Sequence, residues 1–309
     1  MLPGKDRAAA FGRCYANNHK LKRILSSLSH THNTTASEPV NSIYFKPETT
    51  DPDEQLALLL LPYFSNQIPV LIRNGSSHHR AAQIWPKSWK EYFVQQVGYD
   101  TPCTIEIGSN YKDGAVKSTV AFGDYVQFVT LASEQSLEEN NVETVYLAQQ
   151  DIYEELLRDV AIPRAITDGS TIMQNKTDPI SAPTLLGHGK LYSTMFWFGP
   201  KGCVTPLHHD PMDNLFFQYV GRKRVLLYPP QKQGTLKDLY YAGKGHSIQD
   251  NTSAVDVENP DINKFPNFAE APAAQEALVG PGDVLFIPKR WWHHVRSLET
   301  SVSVNSWFR

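Results

Sequence analysis

The stretch TPLHHDPMDNLFFQYVGRKRVLLYPP, Thr205 to Pro230, sets His208, His209 and Asp210 side by side ahead of an apolar run. Imidazole and carboxylate groups are the usual ligands of first-row divalent metals. His208 and Asp210 are two residues apart, so on extended backbone both project from one face while His209 points from the other. A third ligand candidate lies in GPGDVLFIPKRWWHHVRSLETSVSVNSWF, where His293 and His294 open a strand-like segment 85 residues after His208. Two imidazoles and one carboxylate on one side of an octahedron leave room for cosubstrate and oxygen, which is what a non-haem iron(II) oxygenase requires. His208, Asp210 and one of His293 or His294 supply that set. A His-x-Asp pair alone is common without a metal, so its surroundings decide.

Those surroundings include Lys223. With YVGR as a tight hairpin and Val220 and Gly221 as its loop, Gln218 faces Lys223 and Asn214 faces Leu227, which brings Asn214 and Lys223 to one surface. A lysine on an inward face beside aromatic residues is costly unless it meets an anion, and the dicarboxylate 2-oxoglutarate is such an anion.

The elements that must hold these groups change character along the chain. DPDEQLALLLLPYF predicts a helix, with Asp51 and Pro52 at its start and Pro62 near its end, and PVLIR a buried strand. WPKSWKEYFVQQVG predicts a second helix closed by Gly98, CTIEIGS a strand, and Gly123 to Ala132 a third helix. After Leu191 the runs LYSTMFWFG, NLFFQYVG, KRVLLYPP, DVLFIP, HHVRS and SVSVNSWF are short, aromatic and β-branched, separated by Gly, Pro and Asp. That pattern predicts an antiparallel sandwich or barrel. The expected organisation is a basic, flexible extension over 1–42, a helical and strand buttress over 43–190, and a barrel over 191–309.

Composition bounds the function. The 309 residues are 41% hydrophobic and 11% aromatic, enough for a sizeable core, and the net charge of -3 argues against a general affinity for nucleic acid or anionic membrane. Three cysteines, Cys14, Cys103 and Cys203, form no CxxC and predict neither a disulfide framework nor a cysteine zinc site. No apolar run approaches the roughly 18 residues of a membrane span. Nucleus or cytoplasm is the expected location, although an acid-poor N-terminus with six Lys or Arg before Ile24 also suits a mitochondrial transit peptide.

TPLHHDPMDNLFFQYVGRKRVLLYPP, SAVDVENPDINKFPNF and the closing GPGDVLFIPKRWWHHVRSLETSVSVNSWF together resemble the JmjC-domain 2-oxoglutarate oxygenases. The similarity is to their small protein hydroxylases, the asparaginyl type that acts on hypoxia-inducible factor and, more closely, the arginyl type that also carries the name of a histone lysine demethylase. It runs from about Leu58 to Phe308, because TIEIGSNY, VYLAQQDIYEEL and FWFGPKG match the arginyl type as well.

The resemblance implies a fold that is mainly β with flanking α, a double-stranded β-helix of the jelly-roll or cupin kind with an N-terminal α/β buttress. It implies Fe(II) held by His208, Asp210 and His293, with His209 and His294 as bystanders. It implies 2-oxoglutarate bound through Lys223, helped by Thr205, Asn214 and Tyr146, with Asn305 as a further cosubstrate contact. O2 is then consumed, 2-oxoglutarate decarboxylated to succinate and a substrate C–H bond hydroxylated. Glu106 and Trp197 match a carboxylate and an aromatic wall around a target guanidinium, a pairing suited to a planar cation. A protein or peptide arginine is therefore the expected substrate. Demethylation of N-methyl-lysine, tRNA modification and a catalytically silent cupin binding module stay open as alternatives. The asparaginyl type dimerises through helices after its barrel, whereas Arg309 follows the last expected strand here, so a monomer is expected.

Overall fold

The computed structural model describes residues 37–46, 51–108, 116–134, 145–167, 186–232, 237–243 and 250–309. Cys14 and most of the expected 1–42 extension lie outside the described residues. The first element is already paired: β1 (Glu38–Pro39) runs parallel to a strand near the far end of the chain, so the fold reaches back before Ile43. β2 (Ser42–Tyr44) follows. Helix α1 (Pro52–Asn66) starts as its sequence dictates, with the Asp51 carboxylate accepting from the Glu54 N–H at 3.1 Å and Pro52 in the first turn. It continues past Pro62 and stops at Gln67 in the left-handed conformation.

β3 (Val70–Arg73) leads into α2 (Arg80–Val97), which begins five residues before the expected Trp85 and breaks at Ser88, just after Pro86. β4 (Pro102–Ile107), β5 (Val116–Ala121), α3 (Phe122–Glu134) and β6 (Val145–Asp151) complete the first half, with short helical turns α4 (Glu154–Leu157) and α5 (Arg164–Thr167) after them.

Eight strands then follow: β7 (Leu191–Gly199), β8 (Val204–His209), β9 (Asp213–Val220), β10 (Lys223–Tyr228), β11 (Gln275–Val279), β12 (Val284–Ile287), β13 (Trp292–Ser297) and β14 (Ser301–Phe308). They fall into two facing sets, β11-β10-β13-β8 and β12-β9-β14-β7, the two four-stranded sheets of a jelly roll. The N-terminal strands extend the same sheets. β1 adds to β11, β3 and β2 to β12, and β6, β4 and β5 to β7. Thr35–Arg309 is one compact unit. Among the described residues no helix is long and apolar enough to cross a membrane.

The hairpin expected at Val220 and Gly221 does not form. β9 pairs with β12 and β14, and β10 pairs with β11 and β13, so the chain passes from one sheet to the other at this turn. The physical reason is burial. Every residue of β9 and all but one of β10 are buried, so each strand takes partners on both sides within its own sheet.

Phe216, Val225, Leu227, Val279, Leu285 and Trp291 pack between the sheets. The outer face of the larger sheet is closed by α2, whose Trp85 and Phe93 meet Phe196 and Tyr219 edge-on at centroid distances of 5.1 to 6.2 Å. Such aromatic pairs add about 0.5–1.5 kcal/mol each beyond area burial.

Gly221 makes the turn between sheets at φ +65°, and a Cβ there would stand 2.0 Å from the Thr300 carbonyl oxygen. Gly221→Ala should therefore combine left-handed strain with a backbone clash and cost about 2–4 kcal/mol, read as a lower urea midpoint at unchanged slope. A loss below about 0.5 kcal/mol would show that the turn is not constrained in this way.

Candidate metal centre

His208 is the penultimate residue of β8 and His293 lies directly across the ladder on β13, with ring centroids 4.1 Å apart. Asp210 follows β8. His208 Nε2 lies 4.0 Å from Asp210 Oδ1 and His293 Nε2 3.6 Å from Asp210 Oδ2, and one ligand atom from each residue falls within 4.8 Å of the others. Each histidine is aimed by the carbonyl two residues before it: Nδ1 of His208 bonds Pro206 O at 2.8 Å and Nδ1 of His293 bonds Trp291 O at 3.0 Å. With Nδ1–H donating to a carbonyl, the Nε2 lone pair is free for a metal. Trp307 Nε1 donates to Asp210 Oδ2 at 3.0 Å and orients the carboxylate. Burial, and secondarily the neighbouring His208, hold His293 below the usual imidazole range, in the neutral form that binds metal.

The alternation expected for the paired histidines is what the strands produce. His209 packs edge-on against Trp292 at 4.7 Å, and burial lowers its pKa. His294 faces Glu258 at 3.9 Å, and burial pushes it down to about 4.

Lys223 is 1% exposed, and Nζ donates to Tyr146 Oη at 3.1 Å while lying 5.4 Å from the Phe216 ring centroid. Among the described residues no carboxylate lies within ion-pair distance of it, and burial pushes its pKa down to about 7. The β9–β14 register links Lys223 to the ligand set. Asn305 lies opposite Phe216 and Trp307 opposite Asn214, so all four project from the face that meets Lys223 and Asp210. Among the described residues, both amide atoms of Asn214 and Oδ1 of Asn305 are buried without a partner. Thr205, on β8 opposite Val295, is half-buried. A buried ammonium and several unanswered amide atoms beside a two-histidine, one-carboxylate set fit a divalent metal with a chelating dicarboxylate.

Glu106 and Trp197 reach the same region. Tyr146, 5.8 Å from the Trp197 ring, is the ladder partner of Glu106. Lys117 stands on the other side of Glu106, with Nζ 3.4 Å from its carboxylate. Sequence reasoning missed Trp307; its spacing of two from Asn305 on one strand was the available signal.

A jelly roll with inward His208, Asp210 and His293 defines a cupin-type metal-binding fold. The chain belongs to the cupin-like domain family, whose pattern matches residues 58–309, and is of its JmjC type. Enzymes of that type use Fe(II) and 2-oxoglutarate. The chain is 35% identical over 252 residues to "Lysine-specific demethylase 8" of Xenopus tropicalis, covering 80% of this chain and 49% of the relative. It is 32% identical over 253 residues to "Lysine-specific demethylase JMJ30" of Arabidopsis thaliana, covering 81% and 52%. "Jumonji C domain-containing protein 5" of Drosophila melanogaster is 32% identical over 246 residues, covering 78% and 54%. The chain thus spans about half the length of these curated relatives.

Replacing His208 or Asp210 by Ala should weaken Mn(II) or Fe(II) binding by more than about a hundredfold, whereas His209→Ala should leave it within about threefold. Equilibrium dialysis decides; equal losses would mean the wrong neighbour was assigned.

Lys223 generates a pH prediction. An unfolded lysine titrates near 10.4, so between about pH 7 and pH 10 the unfolded chain binds more protons than the folded one, and stability rises with pH across that window. Lys223→Met should remove the rise, stabilise the protein at pH 7 and abolish measurable 2-oxoglutarate binding. Urea midpoints at pH 7 and pH 9.5 and a ligand titration check it; a flat profile in the unaltered protein would exclude a depressed lysine.

Proposed function

We propose that this chain is an Fe(II)- and 2-oxoglutarate-dependent oxygenase acting on a protein side chain, with His208, Asp210 and His293 holding the metal. The observation that carries the reading is Lys223, a buried cation with no carboxylate partner among the described residues, on the same face as a metal-competent ligand set. Lys223 and Tyr146 receive the far carboxylate of 2-oxoglutarate, and Thr205, Asn214 and Asn305 answer its remaining oxygens. Bound iron with 2-oxoglutarate supplies activation of O2 and oxidation of a substrate C–H bond, with release of succinate and CO2. The residues' own part is to aim Nε2 of both histidines at the metal position through the carbonyls behind Nδ1, hold Asp210 through Trp307, and exclude water from the anion site behind Phe216 and Tyr146.

For the substrate, the names of the Xenopus and Arabidopsis relatives support N-methyl-lysine. Hydroxylation of an N-methyl carbon gives a hemiaminal that breaks down to the amine and formaldehyde. Arginine is a second reading, favoured by Glu106 in the ladder beside Tyr146 and near Trp197. A carboxylate next to a flat aromatic suits a guanidinium, although Lys117 already shares that carboxylate.

Three peptides that differ only in Arg, Lys or N-methyl-lysine at one position separate these readings by mass. Loss of 14 Da with formaldehyde release marks demethylation, and gain of 16 Da on the arginine peptide marks hydroxylation. If arginine is the target, Glu106→Gln should lower turnover about ten- to a hundredfold while succinate formation without peptide hardly changes. Absence of 2-oxoglutarate turnover in the iron-loaded protein would sink the oxygenase reading itself.

A further inference from the structure

Behind the larger sheet, away from the ligand set described above, a second group of metal-ligating side chains comes together. Asp53 stands in the first turn of α1, and His78 and His79 form the turn entering α2. One ligand atom from each lies within 4.8 Å of the other two. His78 Nε2 is 3.3 Å from Asp53 Oδ1, longer than the usual hydrogen bond of about 2.9–3.0 Å. It matches the roughly 3.3–3.4 Å between two ligand atoms that share a tetrahedral zinc at about 2.0–2.1 Å.

His79 supplies the independent sign. It is 1% exposed and occupies the N-cap position of α2, where Ser, Thr, Asp or Asn would bond the free backbone N–H groups, yet its side chain makes no capping bond. Nδ1 bonds the hydroxyl of Tyr219 on β9 at 2.8 Å, and Nε2 is buried with no partner among the described residues. A buried ring nitrogen left unanswered costs about 1–3 kcal/mol, so a histidine in this place needs a reason. Orientation of the ring from behind by Tyr219 is the arrangement that fixes metal-ligating histidines elsewhere. Burial pushes His79 down to about 3, so the ring is neutral and able to ligate at physiological pH. On β9, Tyr219 and Phe217 alternate with Phe216 and Asn214, so this group lies on the opposite face of the sheet from the iron ligands.

We infer that Asp53, His78 and His79 form a second divalent-cation site, best suited to Zn(II), which clamps the starts of α1 and α2 to the outer face of β9. Two imidazoles and one carboxylate are ligands zinc accepts, with a water able to take the fourth position. The role is structural, because the group has no contact with Lys223 or the iron ligands.

The test uses the full chain carrying Asp210→Ala, which removes the other site, stripped of metal and then dialysed against Zn(II). Elemental analysis should find one zinc per chain, and Zn(II) should raise the melting temperature. Adding His78→Ala or Asp53→Asn, both at half-buried positions, should weaken binding at least about tenfold and abolish the thermal shift. Co(II) in place of zinc should give visible absorption that disappears in the same variants. Two substitutions at separate elements guard against a folding defect in either, and circular dichroism confirms that each variant is folded. No zinc in the Asp210→Ala chain, or unchanged zinc and thermal shift in both folded variants, overturns the inference.

Discussion

The register between β8 and β13 is the constraint on which the metal centre depends. The two adjacent strands carry both histidines of the candidate ligand set, and Asp210 follows directly. His293 lies across from His208, and Trp292 from His209, so a slip of one residue would turn His293 outward and bring His294 in. The ladder is irregular just beyond this pair: Val295 is opposite Thr205, so Pro206 and Leu207 together face His294. Pro206 has no N–H to give the ladder, which is why a bulge forms there at little cost. The bulge leaves the Pro206 carbonyl free to accept from His208 Nδ1. One imperfection in the pairing therefore sets the tautomer of a candidate ligand.

The second constraint is the passage between sheets at Gly221. Because β10 leaves β9 and joins the other sheet, Lys223 enters the barrel from the wall opposite Asn214 and Phe216 and closes over the latter. Its charge has lost its water and, among the described residues, meets Tyr146 Oη and two aromatic faces, and burial depresses its pKa. Such a lysine destabilises the fold at neutral pH. A dianion bound beside it would offset that cost, since it would restore the protonated form.

Much of this was legible in the sequence, for unequal reasons. The side-by-side His208, His209 and Asp210 carry their own geometry, because alternation on extended backbone needs no tertiary knowledge, and the outward turn of His209 follows from it. Asn214 and Lys223 were expected on one surface, and they do share one, but through facing sheets and not through a hairpin. The turn residues of YVGR fit both outcomes, and only burial on both edges of β9 and β10 decides between them. β11 carried no strong period-two signal over its five residues, and Pro206 masked β8 as a strand. Glu106 and Tyr146 sit in the first half of the chain, where no local pattern ties them to the barrel; a resemblance reached them, and the β4–β6–β7 ladder explains how they arrive. Asp53 and the His78–His79 pair are 25 residues apart in elements of different kinds, so nothing in their spacing announced that they meet.

β9 connects these features, since it is buried along its whole length and presents a different chemistry on each face. Inward it offers Asn214 and Phe216 to the face that meets Lys223, and outward Phe217 and Tyr219 to α2 and His79. A strand packed on both faces and paired on both edges has no soft direction in which to move. The helices are tied to the barrel at its other end as well, where Trp291 Nε1 donates to the Gln67 carbonyl at the C-terminus of α1, two residues before His293. The N-terminal half therefore does more than cover a sheet. It fixes β9 from outside and the entry to β13 from the end of α1, the two elements whose positions decide whether Asn214 and His293 face the same space.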